Sequence, residues 1–325
     1  MFIVKNKWVF IGISIVLLLV SAFLIGTKGL KKGIDFTGGT EAVIAYKNYT
    51  ADKGEKIDLE FIKNNIIEAG FSVKDVSLQK VDGEGTNFVT IRLAGVLSPS
   101  ENMAFKNAWS FGGDENYKAE QISEVIIGPS VGKELTRKAV WSISLVALIV
   151  IAFIAISFSK VSHPVASWKY GVLAVLALLH DIFIASGMYA VLGEINGAEI
   201  DSLFVLALLT IMGVSISNTI VVFDRVRENL KYRRSNEPFD EVVGKSVKQT
   251  LLRSFNTSLS TILVLLALFL FGPISIRNFS LVMITGMVVG TFSSVFVAPS
   301  LLILVESWQN KKRNRKKNKK KFKKA

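Results

Sequence analysis

The sequence predicts an α-helical polytopic membrane protein: six transmembrane helices, with an extracytoplasmic α+β domain of ferredoxin-like strand order between the first and the second. Three observations predict it. Six apolar stretches, near 8–26, 139–158, 170–193, 200–223, 254–272 and 278–305, reach the ~20 residues a helix needs to cross a bilayer. Half of the 325 residues are hydrophobic, and the charges gather in a few places. A single polar interruption, residues 27–137, is long enough to fold as a unit. Four segments follow: the N-terminus and first span (1–26), the outer domain (27–137), a five-helix bundle (138–306) and a basic tail (307–325).

The first span has Lys5 and Lys7 before it and SAFLIG near its end, in the manner of a signal peptide. Its apolar run exceeds the roughly 7–15 residues of such a segment, so a retained anchor is expected. GIDFTGGT (33–40) reads as a tight turn before a strand, with Gly38 and Gly39 supplying positive φ, Gly33 opening it and Asp35 capping it. A phosphate-cradling loop lacks both the GxxxxGK[ST] pattern and a following helix. The outer domain then reads as strand 40–47, helix 58–70 ending at Gly70, strand 71–81, the turn DGEG, strand 87–93, helix 98–109 and strand 120–128. Ser98, Pro99 and Glu101 are spaced for a capping box. The order β-α-β-β-α-β is the ferredoxin-like one.

Charge sets the orientation. Lys5 and Lys7, Lys160 and Lys169, the Arg225–Arg234 cluster and the tail alternate consistently to one side, while EINGAE (194–199) and GPISI (272–276) carry no Lys or Arg. Both termini are therefore expected in the cytoplasm, with the insert outside. The net charge of +13 is local: Lys311 to Lys324 holds eleven Lys or Arg and no acid, whereas Gly26 to Arg137 has fourteen bases against sixteen acids. The tail reads as a topology determinant that binds anionic headgroups at ~1 kcal/mol per near-surface charge. An RNA or ribosome contact there is the weaker reading, since Phe322 is the only aromatic between Lys311 and Lys324, and DNA is not expected. No cysteine and two histidines exclude disulfides, thiolate metal sites and His-rich ones; no cofactor is expected. No Ser/His/Asp or paired-carboxylate pattern is legible in the outer domain, so no enzymatic activity is expected.

Polar residues inside the spans are the candidate chemistry. In the fourth span Gly213 and Ser217, and Ser215 and Thr219, are four apart; each pair shares a face, and small residues there let another helix approach. Their hydroxyls read either as interhelical glue at ~0.6 kcal/mol per bond or as a site, with Asn218 the costliest to bury unpaired. In the fifth span Arg253, Asn256, Thr257, Ser260 and Thr261 form one stripe, expected to face a wet cavity or a counter-charge. The third span carries His180 and Asp181 near its middle; a carboxylate there costs ~2.5–3.5 kcal/mol on insertion scales. Gly286, Gly290 and Ser294 of the sixth span read as a packing ridge.

GIDFTGGT at 33–40, VIIGPSVGKEL at 125–135, ALLHDIFIASG at 177–187, GVSISNTIVVFDRVREN at 213–229 (with Asp224 and Arg225) and TLLRSFNTSLST at 250–261 resemble, in order, the SecF family. These are the six-span subunits of the bacterial SecD–SecF protein-export complex, related to the RND transporters. The resemblance implies an accessory to the Sec translocon channel that forms a heterodimer with SecD and uses a proton or sodium gradient to promote export of the translocating preprotein. It also implies that ion coupling rests on an Asp in the fourth span and an Arg in the fifth. The Arg maps onto Arg253; the Asp maps onto Asn218, an amide that cannot titrate. Three accounts are open: Asp181 with His180 carries the proton, SecD supplies the acid, or Asn218, Ser217 and nearby carbonyls hold sodium. An engineered Asn218 is a further possibility. The competing functions are half of an RND-type exporter of small molecules or lipids, and a non-motor scaffold holding SecD to the channel.

Overall fold

The computed structural model describes residues 2–47, 59–80, 86–111, 119–157, 165–195, 197–233 and 237–322. DGEG, Lys160 and Arg234 lie outside them. In chain order the elements are α1 (Phe2–Lys5), α2 (Lys7–Lys28), α3 (Ile34–Thr37), β1 (Gly39–Lys47), α4 (Leu59–Glu68), β2 (Val73–Lys80), β3 (Thr86–Leu93), α5 (Pro99–Trp109) and β4 (Ala119–Ile127). The bundle follows as α6 (Pro129–Ser157), α7 (Ser167–Ile195), α8 (Ser202–Lys231), α9 (Phe239–Phe271), α10 (Ile274–Phe292), a π-helical turn (Ser293–Val297) and α11 (Ala298–Phe322). Six helical stretches are long and apolar enough to cross a membrane.

The spans outrun their apolar cores. α6 begins ten residues before the expected 139, and α9 fifteen before 254. Once nucleated, a helix adds a hydrogen bond for each residue fixed, so polar residues extend it beyond the apolar run. On α8 the extension carries the i,i+3 pairs Asp224–Arg227 (2.9 Å) and Arg225–Glu228 (2.5 Å). The over-long sixth span is resolved by the π turn and by α11, which runs on into the tail as helix rather than a separate segment.

The outer domain folds as predicted from its pattern. Its sheet has the order β2-β3-β1-β4, all neighbouring pairs antiparallel. α4 and α5 cover one face, burying Ile62, Ile66, Phe105 and Trp109 against Ala42, Ile44, Tyr46, Val89 and Ile91. Ser98 and Glu101 close the capping box, and the hydrogen bond from the Ser98 backbone amide holds the Glu101 carboxyl below its ordinary range.

GIDFTGGT departs from expectation. It is a single helical turn, α3, not a simple turn; Gly38 (φ 72°) and Gly39 (φ 147°) then lead into β1, as Gly-specific conformations should. Asp35 caps no part of that turn. Its Oδ2 accepts from the backbone N of Ser202, at the head of α8 (2.7 Å). α3 lies between β1 and the start of α6, where the backbone of Gly132 approaches the Phe36 carbonyl.

Candidate functional site

The bundle core is stratified. One apolar cluster, at the end next to the outer domain, contains Ala185 of α7, Leu208 and Ile211 of α8, Leu265 of α9 and Met287 of α10. A second, at the far end, contains Ala177, Val222, Val247 and Val295. Between them each of these chain segments turns polar at the same depth: His180 and Asp181, then Ser215, Asn218 and Thr219, then Ser258, then Thr291, Ser293 and Ser294. Side chains that cannot be solvated must find partners among themselves, and most of this layer does so, with His180 Nε2 left unbonded among the described residues.

Asp181 is the centre of that layer and has no exposed surface. His180 Nδ1 lies 2.9 Å from its Oδ1. Oδ2 accepts from Ser215 Oγ at 2.5 Å and from Ser293 Oγ at 2.8 Å. Polar groups from α7, α8 and the π turn therefore converge on one carboxyl group. Close approach is possible because Gly290 lacks a side chain: a Cβ there would stand 3.2 Å from that of Ser215 and 3.4 Å from Asp181 Oδ2. The π turn does the aiming. Consecutive helical residues point about 100° apart, and within the turn Ser293 reaches α7 while Ser294 reaches α8. Ser294 Oγ meets Thr219 Oγ1 (2.9 Å) and the Ser215 carbonyl (3.2 Å). Gly286, Gly290 and Ser294 thus are a packing ridge, with Gly286 against Ile211, but Ser294 is also part of the polar layer.

Asn218 joins the layer as a donor. Its Nδ2 lies 3.2 Å from Ser258 Oγ, which in turn is 2.6 Å from Thr291 Oγ1. The amide is buried and partnered, which removes the penalty of burying it alone.

Two expectations fail geometrically, and a third holds only for Arg253 at the head of its stripe. Gly213 and Ser217 are exposed, and nothing lies within 4 Å of where a Gly213 Cβ would stand, so they do not seat a neighbouring helix within this chain. The close contacts of α8 run through Ser215 and Thr219, one face over. Ser217 and Asn218 consequently point apart, and the sodium ligand set that pairs them is not assembled. Finally, Arg253, Asn256, Thr257 and Ser260 face outward, with the Thr257 and Thr261 hydroxyls turned onto carbonyls of their own helix. The inward stripe of α9 is Ser246, Thr250, Ser254 and Ser258. Arg253 borders a groove of about 470 Å³ between α8 and α9, together with Asp224, Arg225 and Thr250. Arg225 there is held by Gln249 (2.7 Å) and Glu228.

What sequence reading missed is Ser258 and Ser293, and Asp35 as a cap for another element. The serines carry no signal beyond being polar in an apolar run. Among the described residues no group of three or more His, Cys, Asp or Glu could hold a metal ion.

Comparison with known proteins agrees with this architecture. The family model for "Protein export membrane protein SecD/SecF, C-terminal" matches residues 111–308, and that for the "SecD/SecF GG Motif" matches residues 23–48. The chain is 37% identical to the protein translocase subunit SecF of Thermobaculum terrenum, over 95% of this chain and 94% of that protein. It is 34% identical to the SecF subunit of Synechocystis sp., over 95% and 94%. A crystal structure of SecDF, a translocon-associated membrane protein from Thermus thermophilus, superposes with a TM-score of 0.78 at 31% identity, covering 94% of this chain and 38% of that one.

Proposed function

This chain belongs to the SecD/SecF family of protein export membrane proteins, and on that premise we propose that it is the ion-coupled half of an export motor whose working acid is Asp181. It is a multi-pass membrane protein. In the proposed arrangement it sits in the bacterial cytoplasmic membrane with both termini inside, pairs with SecD, docks on the Sec channel and uses a proton gradient to draw preprotein outward without an enzymatic step. The tail helix adds attraction to anionic lipid.

The observation that carries the reading is the convergence of His180, Ser215 and Ser293 on a fully buried carboxylate. An ionised Asp181 accepts all three bonds. A protonated one becomes a donor at one oxygen, so the serine hydroxyl it meets must reverse from donor to acceptor, and the tie from α7 to α8 or to the π turn weakens from a charged bond to a neutral one. A hydrogen bond to a charged group is worth ~1.5–3 kcal/mol. One proton crossing 100 mV supplies ~2.3 kcal/mol. The two quantities match, so a single protonation is enough to bias the packing of three helices. Asn218, which cannot take the proton, is left with a holding role through Ser258. The outward face of Gly213, Ser217, Arg253 and Thr257 supports the pairing with SecD, because a polar stripe toward lipid is costly and a partner helix would cover it.

The test is preprotein translocation into vesicles containing the full complex, driven by either a proton or a sodium gradient. Asp181→Asn should slow proton-driven export about tenfold, the loss of one such hydrogen-bond switch. Asn218→Asp should add a second titratable group and alter the pH profile, and Arg253→Met should weaken the response to either gradient. Export by Asp181→Asn at the wild-type rate would sink the assignment.

A further inference from the structure

The head of α8 is built by two parts of the chain. A helix leaves its first backbone N–H groups without internal partners. Asp201, the N-cap residue, takes the Phe204 amide at 2.7 Å. The Ser202 amide goes elsewhere: to Asp35 of α3, also at 2.7 Å. The same segment is joined by main chain, since Gly33 N donates to the Ile200 carbonyl (2.8 Å) and Ile200 N to that of Lys31 (2.7 Å). Gly33 has no room for a side chain; a Cβ would stand 2.8 Å from the Ile200 oxygen. Arg92 of β3 extends the joint into the sheet, binding Glu41 at 2.7 Å and lying 3.6 Å from Glu199. Tyr189 of α7 closes it from the bundle side by donating to the Glu199 carbonyl (2.7 Å).

We infer that Asp35 and Gly33 are positioning residues that weld the outer domain to the head of α8, so that the domain and the helix bearing Ser215, Asn218 and Thr219 move as one body. This rests on the reading of the polar layer as the coupling site. From Ser202 to Ser215 is roughly 20 Å of continuous helix at the usual rise. A displacement of α8 produced where Ser215 meets Asp181 therefore arrives at the outer domain undiminished, with main-chain bonds to carry it. Asp35 sits at the positive end of the helix dipole, where its charge strengthens the contact.

The chain has no cysteine, so a cysteine pair introduced at the joint has no other thiol in this chain to react with. Export is measured with the full chain in complex with SecD, alongside thermal stability and recovery of SecD to confirm assembly. Asp35→Ala should slow gradient-driven export about tenfold, the loss of a hydrogen bond to a charged group, and Asp35→Asn, which keeps a carbonyl oxygen, should retain most of it. The pair Asp35→Cys with Ser202→Cys should be slow when reduced and recover when oxidised. Wild-type export by Asp35→Ala overturns the inference, and so does an oxidised pair that halts export, because the joint would then have to open. Failure of the coupling reading is distinguishable: an inert Asp181→Asn removes that reading alone, whereas the difference between reduced and oxidised pairs reports on the joint whatever drives export.

Discussion

Asp181 and Asn218 lie in one polar layer, yet their surroundings differ. Asp181 is met by the hydroxyls of Ser215 and Ser293 and by His180 Nδ1. Asn218 donates a hydrogen bond to Ser258 Oγ, which also accepts from Thr291, so its partners are neutral hydroxyls. A third polar residue, Asp201, allows a test at this scale outside the membrane. Burial holds its carboxyl above the ordinary range, and repulsion from Asp35 and Glu41 adds to this against the pull of the Phe204 amide. A raised folded-state value means that the ionised form is disfavoured by folding. The stabilising contribution is thus full below the ordinary Asp value of about 4 and is lost as pH rises through the raised value. Asp201→Asn keeps the capping oxygen without that loss. The variant should melt with the wild type in acid and above it at pH 8; equal melting temperatures at both would contradict the assignment.

Among the elements, helices meet most closely where glycine removes a side chain, and the glycines differ in what they face. A Cβ on Gly187 of α7 would stand 2.5 Å from the Ser21 side chain and 2.8 Å from its Cα, so α2 itself must move. A Cβ on Gly286 of α10 would meet the end of Ile211, which can rotate. Gly187→Ala should therefore destabilise by ~1–3 kcal/mol, the usual range for overpacking, and Gly286→Ala by clearly less. Thermal unfolding of the two variants in detergent decides this, and the reverse ranking would show that α2 is the more yielding partner. The π turn belongs to the same scale. It shifts the register of the sixth span by one residue, at the point where Ser293 meets Asp181 of α7 and Ser294 meets Thr219 of α8.

For the molecule as a whole, the distribution of exposed surface says which faces meet lipid. α2, α6 and α9 show apolar rows such as Trp8, Val16 and Phe23, or Leu145, Leu148 and Phe153, consistent with acyl chains as their solvent. The face with Gly213, Ser217, Thr257 and Ser260 does not fit that solvent. A bulky residue placed there should be harmless to this chain and harmful to its pairing. Ser217→Trp or Gly213→Trp should accumulate normally in the membrane while recovery of SecD falls about tenfold, as expected for a misfit of one to a few kcal/mol. Normal recovery would place SecD on another face.

The sequence by itself determined the number of spans, the place of the outer domain and its β-α-β-β-α-β order, because each rests on a local period: long apolar runs for the spans, alternation for strands, and a cap such as Ser98–Glu101 for a helix start. It also singled out His180, Asp181 and Asn218, since a polar group in an apolar run is conspicuous wherever it points. Direction was not legible. Gly213 and Ser217 share a helix face in the sequence as plainly as Ser215 and Thr219 do, but only packing against α10 and the π turn decides which face is inside. Asp35 is similar: nothing within GIDFTGGT hints that its partner is Ser202, 167 residues away. Periodicity fixes what lies on the same face of one helix, whereas which face is buried, and which distant backbone amide a carboxylate will cap, depends on how separate helices come together.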